Sequence, residues 1–99
     1  APGAAAADMV GDDGFACPTR FTARALSRTA GSSGVGVYKY LFKHVPSFAP
    51  QGLGVAHSFE LPFVFGATSY LQGPGEVELS HTFIKYWTSF AANGEPNYT

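Results

Sequence analysis

The chain has 99 residues, enough for one small domain at most, and its composition excludes several classes of protein. Six Lys and Arg against seven Asp and Glu give a net charge of -1, so the chain lacks the basic excess of a protein that binds nucleic acid or anionic lipid. Its longest uncharged apolar stretch, residues 61–65, is far shorter than the roughly 20 residues that a membrane span needs. The single cysteine, Cys17, excludes an internal disulfide framework and a cysteine-based zinc site within the chain.

The balance of aromatic and charged residues indicates a piece of a larger core. Aromatic residues make up 15% of the chain and charged residues only 13%, about half the share usual in a soluble domain. A domain of this length buries only roughly 60% of its surface and therefore needs many polar side chains outside. We expect a fragment rather than a complete domain. The start at Ala1 rather than methionine, and the last residues Asn97 to Thr99 in a polar turn, agree with this expectation.

The first third of the chain predicts a helix after an irregular start. Residues 1–14 are rich in Ala and Gly and predict a short leading loop or a frayed helix end. Phe15 to Ala30 predicts a helix, because proline lies in its first turn and apolar residues recur at helical spacing. Val37 to His44 then alternates with period two among strong β-formers, which predicts a strand.

The remainder predicts a long loop and a second helix. The loop runs from Val45 to about Ser58, and its apolar side chains make disorder the weaker interpretation. Glu60 to Gly66 predicts either a turn of helix or an extended piece broken by proline. From Glu76 to Ala92, apolar residues recur at the spacing of an amphipathic helix, which begins with two glutamates and ends at Asn93-Gly94.

This order of elements predicts an α/β fold that is incomplete within the chain. One strand makes no sheet, so Val37 to His44 is expected to pair with strands outside this sequence. The pattern suits the final β-loop-α unit of a larger α/β sheet. Ligands of such sheets bind at the carboxyl ends of the strands, and the long loop after His44 leaves from that end.

The residues predict neither a metal site nor a cofactor. His44, His57 and His81 lie in three different elements, and His57 with Glu60 supplies only two ligands. Residues 34–36 lack the further glycine or the Gly-Lys-Ser/Thr of a nucleotide-binding loop. We expect no metal and no cofactor.

His57 is the candidate general base. A serine hydrolase of the α/β class carries its histidine on a loop beyond a strand, after the serine and the acid in chain order. No G-x-S-x-G motif occurs in this chain, so a partner nucleophile is missing from it. By position alone, a loop histidine that is only hydrogen-bonded or solvated is the more common case.

Four groups of segments carry a more specific pattern, and they span nearly the whole chain from Gly11 to Asn97. They are Gly11-Asp12 with Phe15 to Pro18; Val37 to Phe42; Gly54 to His57 running into Glu60 to Gly66; and Leu79-Ser80 leading to Tyr86 to Ala91 and Gly94 to Asn97. Together they resemble the C-terminal region of the type-B carboxylesterase/cholinesterase family of α/β-hydrolases. The resemblance implies that residues 1–99 are the C-terminal part of such a domain: helix, one sheet strand, catalytic-histidine loop and C-terminal helix.

The resemblance also implies roles for single residues. His57 matches the family's catalytic histidine, and Glu60 matches an acid near that histidine that supports it without being the triad acid. Asp12 matches a structural, hydrogen-bonding position. Cys17 matches a cysteine that pairs with a downstream cysteine in cholinesterases, and this chain lacks that partner. His44 and His81 are expected to be structural.

The function implied is that of a serine-dependent carboxylic-ester hydrolase, a carboxylesterase, whose serine, acid and oxyanion hole lie outside this chain. The expected partners are a small carboxylic ester and the remainder of the same domain, and the fragment alone is expected to be inactive. A non-catalytic, cholinesterase-like adhesion module is the alternative, and a small binding protein that acts alone is a weaker one. Cys17 and the glycosylation sequon Asn97-Tyr98-Thr99 favour a secreted protein.

Overall fold

The computed structural model describes residues 2–98, which form helices joined by turns and irregular segments. The helices are α1 (Pro2–Gly11), α2 (Cys17–Ala30), α3 (Leu61–Val64) and α4 (Glu76–Asn93). A π-helical stretch, Asp12–Ala16, joins α1 to α2, and short 3-10 turns occupy Gly31–Ser33 and Thr68–Tyr70. The chain divides into two compact units, and the boundary between them in the sequence lies between Lys39 and Tyr40.

No β-strand is present in residues 2–98, so the prediction of an α/β fold with one sheet strand is wrong for this chain. Val37 to His44, the segment predicted as the strand, has neither strand nor helix structure. The physical reason is that a strand requires a ladder of backbone hydrogen bonds to a neighbour, whereas alternation and β-branched or aromatic residues supply only its side-chain pattern. The described chain is helical.

The first unit is helical along most of its length and has no buried core in its two α-helices. The helix predicted from Phe15 to Ala30 is present, with α2 beginning at Cys17 and the π-helical stretch before it. Of the residues predicted as a short leading loop or a frayed helix end, Pro2–Gly11 form the helix α1, which fits their run of alanines, the best helix formers. None of the residues of α1 or α2 is buried. Helix propensity therefore accounts for this unit better than packing does.

The second unit has a small core between α3 and α4. Phe63 of α3 is fully buried, and Leu71, in the connection to α4, is nearly so. The Phe42 ring packs against Phe63 at 5.2 Å between centroids and against Phe83 of α4 at 5.7 Å. The Ser80 hydroxyl of α4 donates a hydrogen bond of 2.7 Å to the Phe63 carbonyl oxygen, which ties the two helices together.

Helix α4 confirms the predicted helix over Glu76 to Ala92 and is one residue longer. Gly75 before it and Gly94 after it have φ of 75° and 73°, the left-handed conformation in which glycine escapes the steric penalty of a Cβ. The Gly94 N–H donates 2.8 Å to the Phe90 carbonyl and closes the last turn. In the part of the chain that the structure describes, neither α4 nor any other helix has the length and apolar character to cross a membrane.

Helix α3 settles the two alternatives for Glu60 to Gly66 in favour of a turn of helix. Pro62 does not break it, because proline in a first turn lacks only an N–H that has no partner within the helix. The N–H groups of Phe63 and Val64 both donate to the Glu60 carbonyl, at 2.9 and 3.0 Å. Glu60 is thus the residue at which this short helix begins.

Candidate active site

The segment from Tyr40 to Pro46 places alternate side chains against the helices of its unit. The Tyr40 ring lies 5.5 Å from Phe83 of α4, and the next contacts along the segment are made by Phe42 and His44. Leu41, between the first two, is 76% exposed. The period-two alternation that predicted a strand is therefore a real pattern of contacts, made by a segment that has no strand partner among residues 2–98.

The carboxylate of Glu76, the first residue of α4, is a buried charged group and is only 1% exposed. Its Oε1 lies 2.8 Å from His44 Nε2 and accepts the Ser47 N–H at 2.7 Å. Its Oε2 accepts the Ser47 hydroxyl at 2.6 Å and the Gly73 N–H at 2.8 Å. All four contacts come from sequence on the N-terminal side of α4.

These contacts keep the Glu76 carboxylate ionised. Burial by itself raises the pKa of a carboxyl group, because it removes water from the charged form. The hydrogen bonds from Ser47, His44 and Gly73 oppose burial and lower the pKa of Glu76 from 4.5 to about 2. An ionised carboxylate can only accept hydrogen bonds, so His44 Nε2 carries its proton in this contact.

The segment held by Glu76 is the start of the long loop that carries His57. After Ser47, the Phe48 ring packs edge-on against Phe59 at 5.4 Å and against Tyr70 at 6.2 Å. Phe59 follows the end of the same loop, only two residues after His57. The two ends of the loop are therefore joined through the Phe48–Phe59 contact.

His57 itself is an exposed side chain at the first position of a tight turn. Phe59 N–H donates 3.2 Å to the carbonyl of Ala56, and Leu61 N–H donates 3.2 Å to the carbonyl of Ser58, so the backbone is hydrogen-bonded on both sides of the histidine. Ser58 has φ of 71°, and it is the one non-glycine residue in the described chain with a positive φ. Such backbone costs free energy, and residues with strained backbone cluster at active sites and ligand-binding segments.

Glu60, the acid that sequence analysis placed near His57, is half-buried at the start of α3. Its charge acts on Tyr40: burial is the largest cause that raises the pKa of the Tyr40 phenol, and the charge of Glu60 raises it further. A hydrogen bond with Trp87 opposes both effects. The carboxylate of Glu60 therefore lies within electrostatic reach of the Tyr40 phenol.

The other residues singled out from the sequence are not among the contacts described above. His81 is exposed on α4, and Cys17 is a free, exposed thiol at the start of α2, in the other unit. Nowhere in residues 2–98 do three His, Cys, Asp or Glu side chains come together as a group that could hold a metal ion. The arrangement therefore offers the exposed imidazole of His57 on a loop whose two ends are in contact.

Comparison with known proteins assigns the family. The family model of the carboxylesterase family matches residues 2–99, almost the full length of the chain. The chain belongs to the carboxylesterase family.

Three relatives illustrate the similarity. Carboxylesterase 1C of Mus musculus is 42% identical over an alignment of 96 residues, and the match covers 91% of this chain and 17% of the relative. Acetylcholinesterase of Gallus gallus is 38% identical over an alignment of 97 residues, and the match covers 91% of this chain and 12% of the relative. The medium-chain fatty acyl-CoA hydrolase precursor of Anas platyrhynchos is 42% identical over an alignment of 84 residues, and the match covers 78% of this chain and 15% of the relative.

The chain thus spans less than a fifth of the length of these relatives. No solved structure matches it at a significant level. The resemblance recognised from the sequence motifs is confirmed, since carboxylesterases and acetylcholinesterases are both among the relatives.

Three features of this arrangement were not predicted from the sequence. They are the hydrogen bonds of Ser47, the positive φ of Ser58 and the burial of Glu76. Glu76 was interpreted only as an acid that suits the first turn of a helix. One signal was available, because a glutamate that directly follows Gly-Pro-Gly can fold back towards the turn, as the bond to Gly73 shows. The contacts of Glu76 with His44 and Ser47 could not be predicted from the local sequence, since they join residues about 30 positions apart in the chain.

Proposed function

We propose that this chain is the C-terminal part of a serine-dependent carboxylic-ester hydrolase and that His57 is its general base. The observation that carries the proposal is the exposed imidazole of His57 on a turn hydrogen-bonded on both sides, within a chain of the carboxylesterase family. An imidazole in this position can reach a nucleophile supplied from outside the chain. The serine, the triad acid and the oxyanion hole belong to the remainder of the domain in this proposal.

The chemistry of His57 follows that of a catalytic triad. His57 accepts the proton of the serine hydroxyl as its oxygen attacks the ester carbonyl, and it then donates that proton to the leaving alkoxide. The acyl-enzyme is hydrolysed in the same way, with water in place of the serine. The triad acid orients the ring and stabilises the imidazolium, while backbone N–H groups stabilise the oxyanion.

Glu60 supports His57 from the start of α3. Its carbonyl oxygen accepts two hydrogen bonds of α3, so its backbone is fixed three residues after the histidine. In this proposal the Glu60 side chain supplies a negative charge close in sequence to His57. Glu60 is a supporting charge in this proposal and not the triad acid.

The substrate class we propose is a small carboxylic ester. The names of the relatives support an acyl substrate, since they include a carboxylesterase, an acetylcholinesterase and a fatty acyl-CoA hydrolase. We further propose a secreted protein, supported by the exposed Asn97 of the sequon.

Fluorophosphonate labelling of the native source protein tests the proposal. The reagent phosphonylates an activated serine, so we expect a labelled band several times heavier than this chain that yields its peptides. A heat-denatured sample is the control for non-specific labelling. A folded native protein that contains these peptides and does not label would contradict the proposal and favour the non-catalytic adhesion module.

A further inference from the structure

The Glu76 carboxylate binds the chain where the His57 loop begins. It accepts a backbone and a side-chain hydrogen bond from Ser47, and it contacts His44, which directly precedes the loop. Gly73 supplies a fourth contact from the turn before α4. The buried side chain of Glu76 therefore attaches the beginning of the loop to the beginning of α4.

We propose that Glu76 is a positioning residue for His57, acting through Ser47 and the aromatic contact that follows it. This inference rests on the proposed function, because it concerns the same histidine. Glu76 itself does not touch the substrate in this proposal. It sets the position from which the His57 imidazole meets the serine.

The route from Glu76 to His57 is short and made of direct contacts. Glu76 holds both the N–H and the hydroxyl of Ser47, which leaves the next residue, Phe48, little freedom. The Phe48 ring packs against Phe59 at 5.4 Å, and Phe59 is two residues after His57. A shift of Ser47 is therefore passed to the turn that presents the histidine.

The site requires a carboxylate rather than an amide. Three N–H or O–H groups, two from Ser47 and one from Gly73, point at its two oxygens, together with His44 Nε2. A glutamine has only one acceptor oxygen, so its NH₂ group would face a donor. The site is also closely fitted, since a Cβ on Gly73 would lie 2.8 Å from the Glu76 carboxyl carbon.

The test compares Glu76→Gln with Glu78→Gln in the full-length protein. Both changes remove one charge from the first turn of α4, but Glu78 is exposed, so the pair separates the buried contacts from the helix dipole. We expect Glu76→Gln to lower kcat per titrated active site by about 10- to 100-fold with KM nearly unchanged, because a misplacement of about 1 Å can cost 100-fold. Glu78→Gln is expected to keep the wild-type kcat.

Counting active sites by fluorophosphonate titration separates positioning from stability. A purely structural role would reduce the number of titratable sites and leave kcat per site at the wild-type value, and that result would overturn the inference. Ser47→Ala, which removes a single hydrogen bond, is the milder variant if Glu76→Gln fails to fold. We expect it to lower kcat per site about 3- to 10-fold, and an unchanged value would also overturn the inference.

The outcome for the wild-type protein distinguishes this inference from the proposed function. If the wild-type protein neither labels nor turns over esters, the proposed function fails and the inference fails with it. If the wild-type protein is active and both Glu76→Gln and Ser47→Ala keep kcat per site, only the inference fails.

Discussion

His44 Nε2 lies 2.8 Å from Glu76 Oε1, a contact that joins positions 32 residues apart. It brings the residue that precedes the long loop to the start of the helix that follows the loop. The segment between these two residues, which includes His57 and α3, therefore starts and ends at the same contact. The candidate base is thus carried on a segment whose two ends are held together.

The first prediction concerns acid stability. The folded-state pKa of Glu76 is lowered to about 2 from 4.5, so its stabilisation is fully present above about pH 4.5 and is lost as the pH falls towards 2. The difference corresponds to about 3 kcal/mol of unfolding free energy. We expect Glu76→Gln to weaken the dependence of stability on pH between these values, measured as the urea midpoint at several pH values.

Glu78→Gln is the matched control for this prediction, because Glu78 lies exposed in the same turn of α4. It should keep the pH dependence of the wild-type protein. If both variants respond to acid alike, Glu76 does not hold the stabilising charge.

The second prediction concerns the bond between α3 and α4. Ser80→Ala removes the donor to the Phe63 carbonyl, and both residues are fully buried, so water cannot replace it. An unsatisfied buried acceptor costs about 1–3 kcal/mol of unfolding free energy. Denaturant unfolding should show this loss for Ser80→Ala.

Ser33→Ala serves as its control, since the Ser33 hydroxyl donates to the Ala30 carbonyl in an exposed turn. We expect a change within about 0.5 kcal/mol for that variant. Equal losses of unfolding free energy for Ser80→Ala and Ser33→Ala would contradict a specific contribution of the α3–α4 hydrogen bond to stability.

The third prediction concerns the backbone next to His57. Ser58 has φ of 71°, a conformation that costs a non-glycine residue about 1–2 kcal/mol and a β-branched one more. We expect Ser58→Gly to keep both stability and turnover near the wild-type values. Ser58→Val should lower the melting temperature and kcat together, because it forces the turn that presents His57 to change.

A Ser58→Val protein with the melting temperature and kcat of Ser58→Gly would contradict this assignment. Thermal unfolding followed by circular dichroism and steady-state kinetics on an activated ester provide the two readouts.

The sequence predicted best those elements whose cause is local. Helix α4 follows from apolar periodicity and a terminal glycine, and α2 follows from the same rules. Val37 to His44 was predicted wrongly as a strand, because its alternation records which side chains make contacts but not what the backbone pairs with. The helix α1 was predicted only as a short leading loop or a frayed helix end, although its run of alanines favours a helix.

The candidate site was predicted partly from position and partly from a motif. His57 was the candidate base from its place on a loop beyond the predicted strand, and the family pattern gave His57 and Glu60 their expected roles. Glu76 and Ser47 could not be paired, since burial and hydrogen bonding between distant positions depend on how the chain folds back. The residue type of Ser58 did not indicate its positive φ, because serine is common in all kinds of turn.

The fourth prediction concerns the dependence of the rate on pH. A protonated imidazole cannot accept the serine proton, so kcat/KM for a neutral ester should fall as the pH is lowered from 8 to 5. Initial rates on an uncharged activated ester provide the measurement. A rate that stays constant over this range would contradict a role for His57 as general base.

The most direct test of His57 as the general base is the turnover of His57→Ala in the full-length protein, compared with that of His81→Ala. His81 is also exposed, but it lies on α4, so the pair compares the same substitution at the proposed catalytic position and at an exposed helical position. We expect His57→Ala to lower kcat by about 10⁴-fold or more, since triad members act as a unit, and His81→Ala to keep the wild-type rate. A folded His57→Ala protein that retains most of the wild-type kcat would contradict the account.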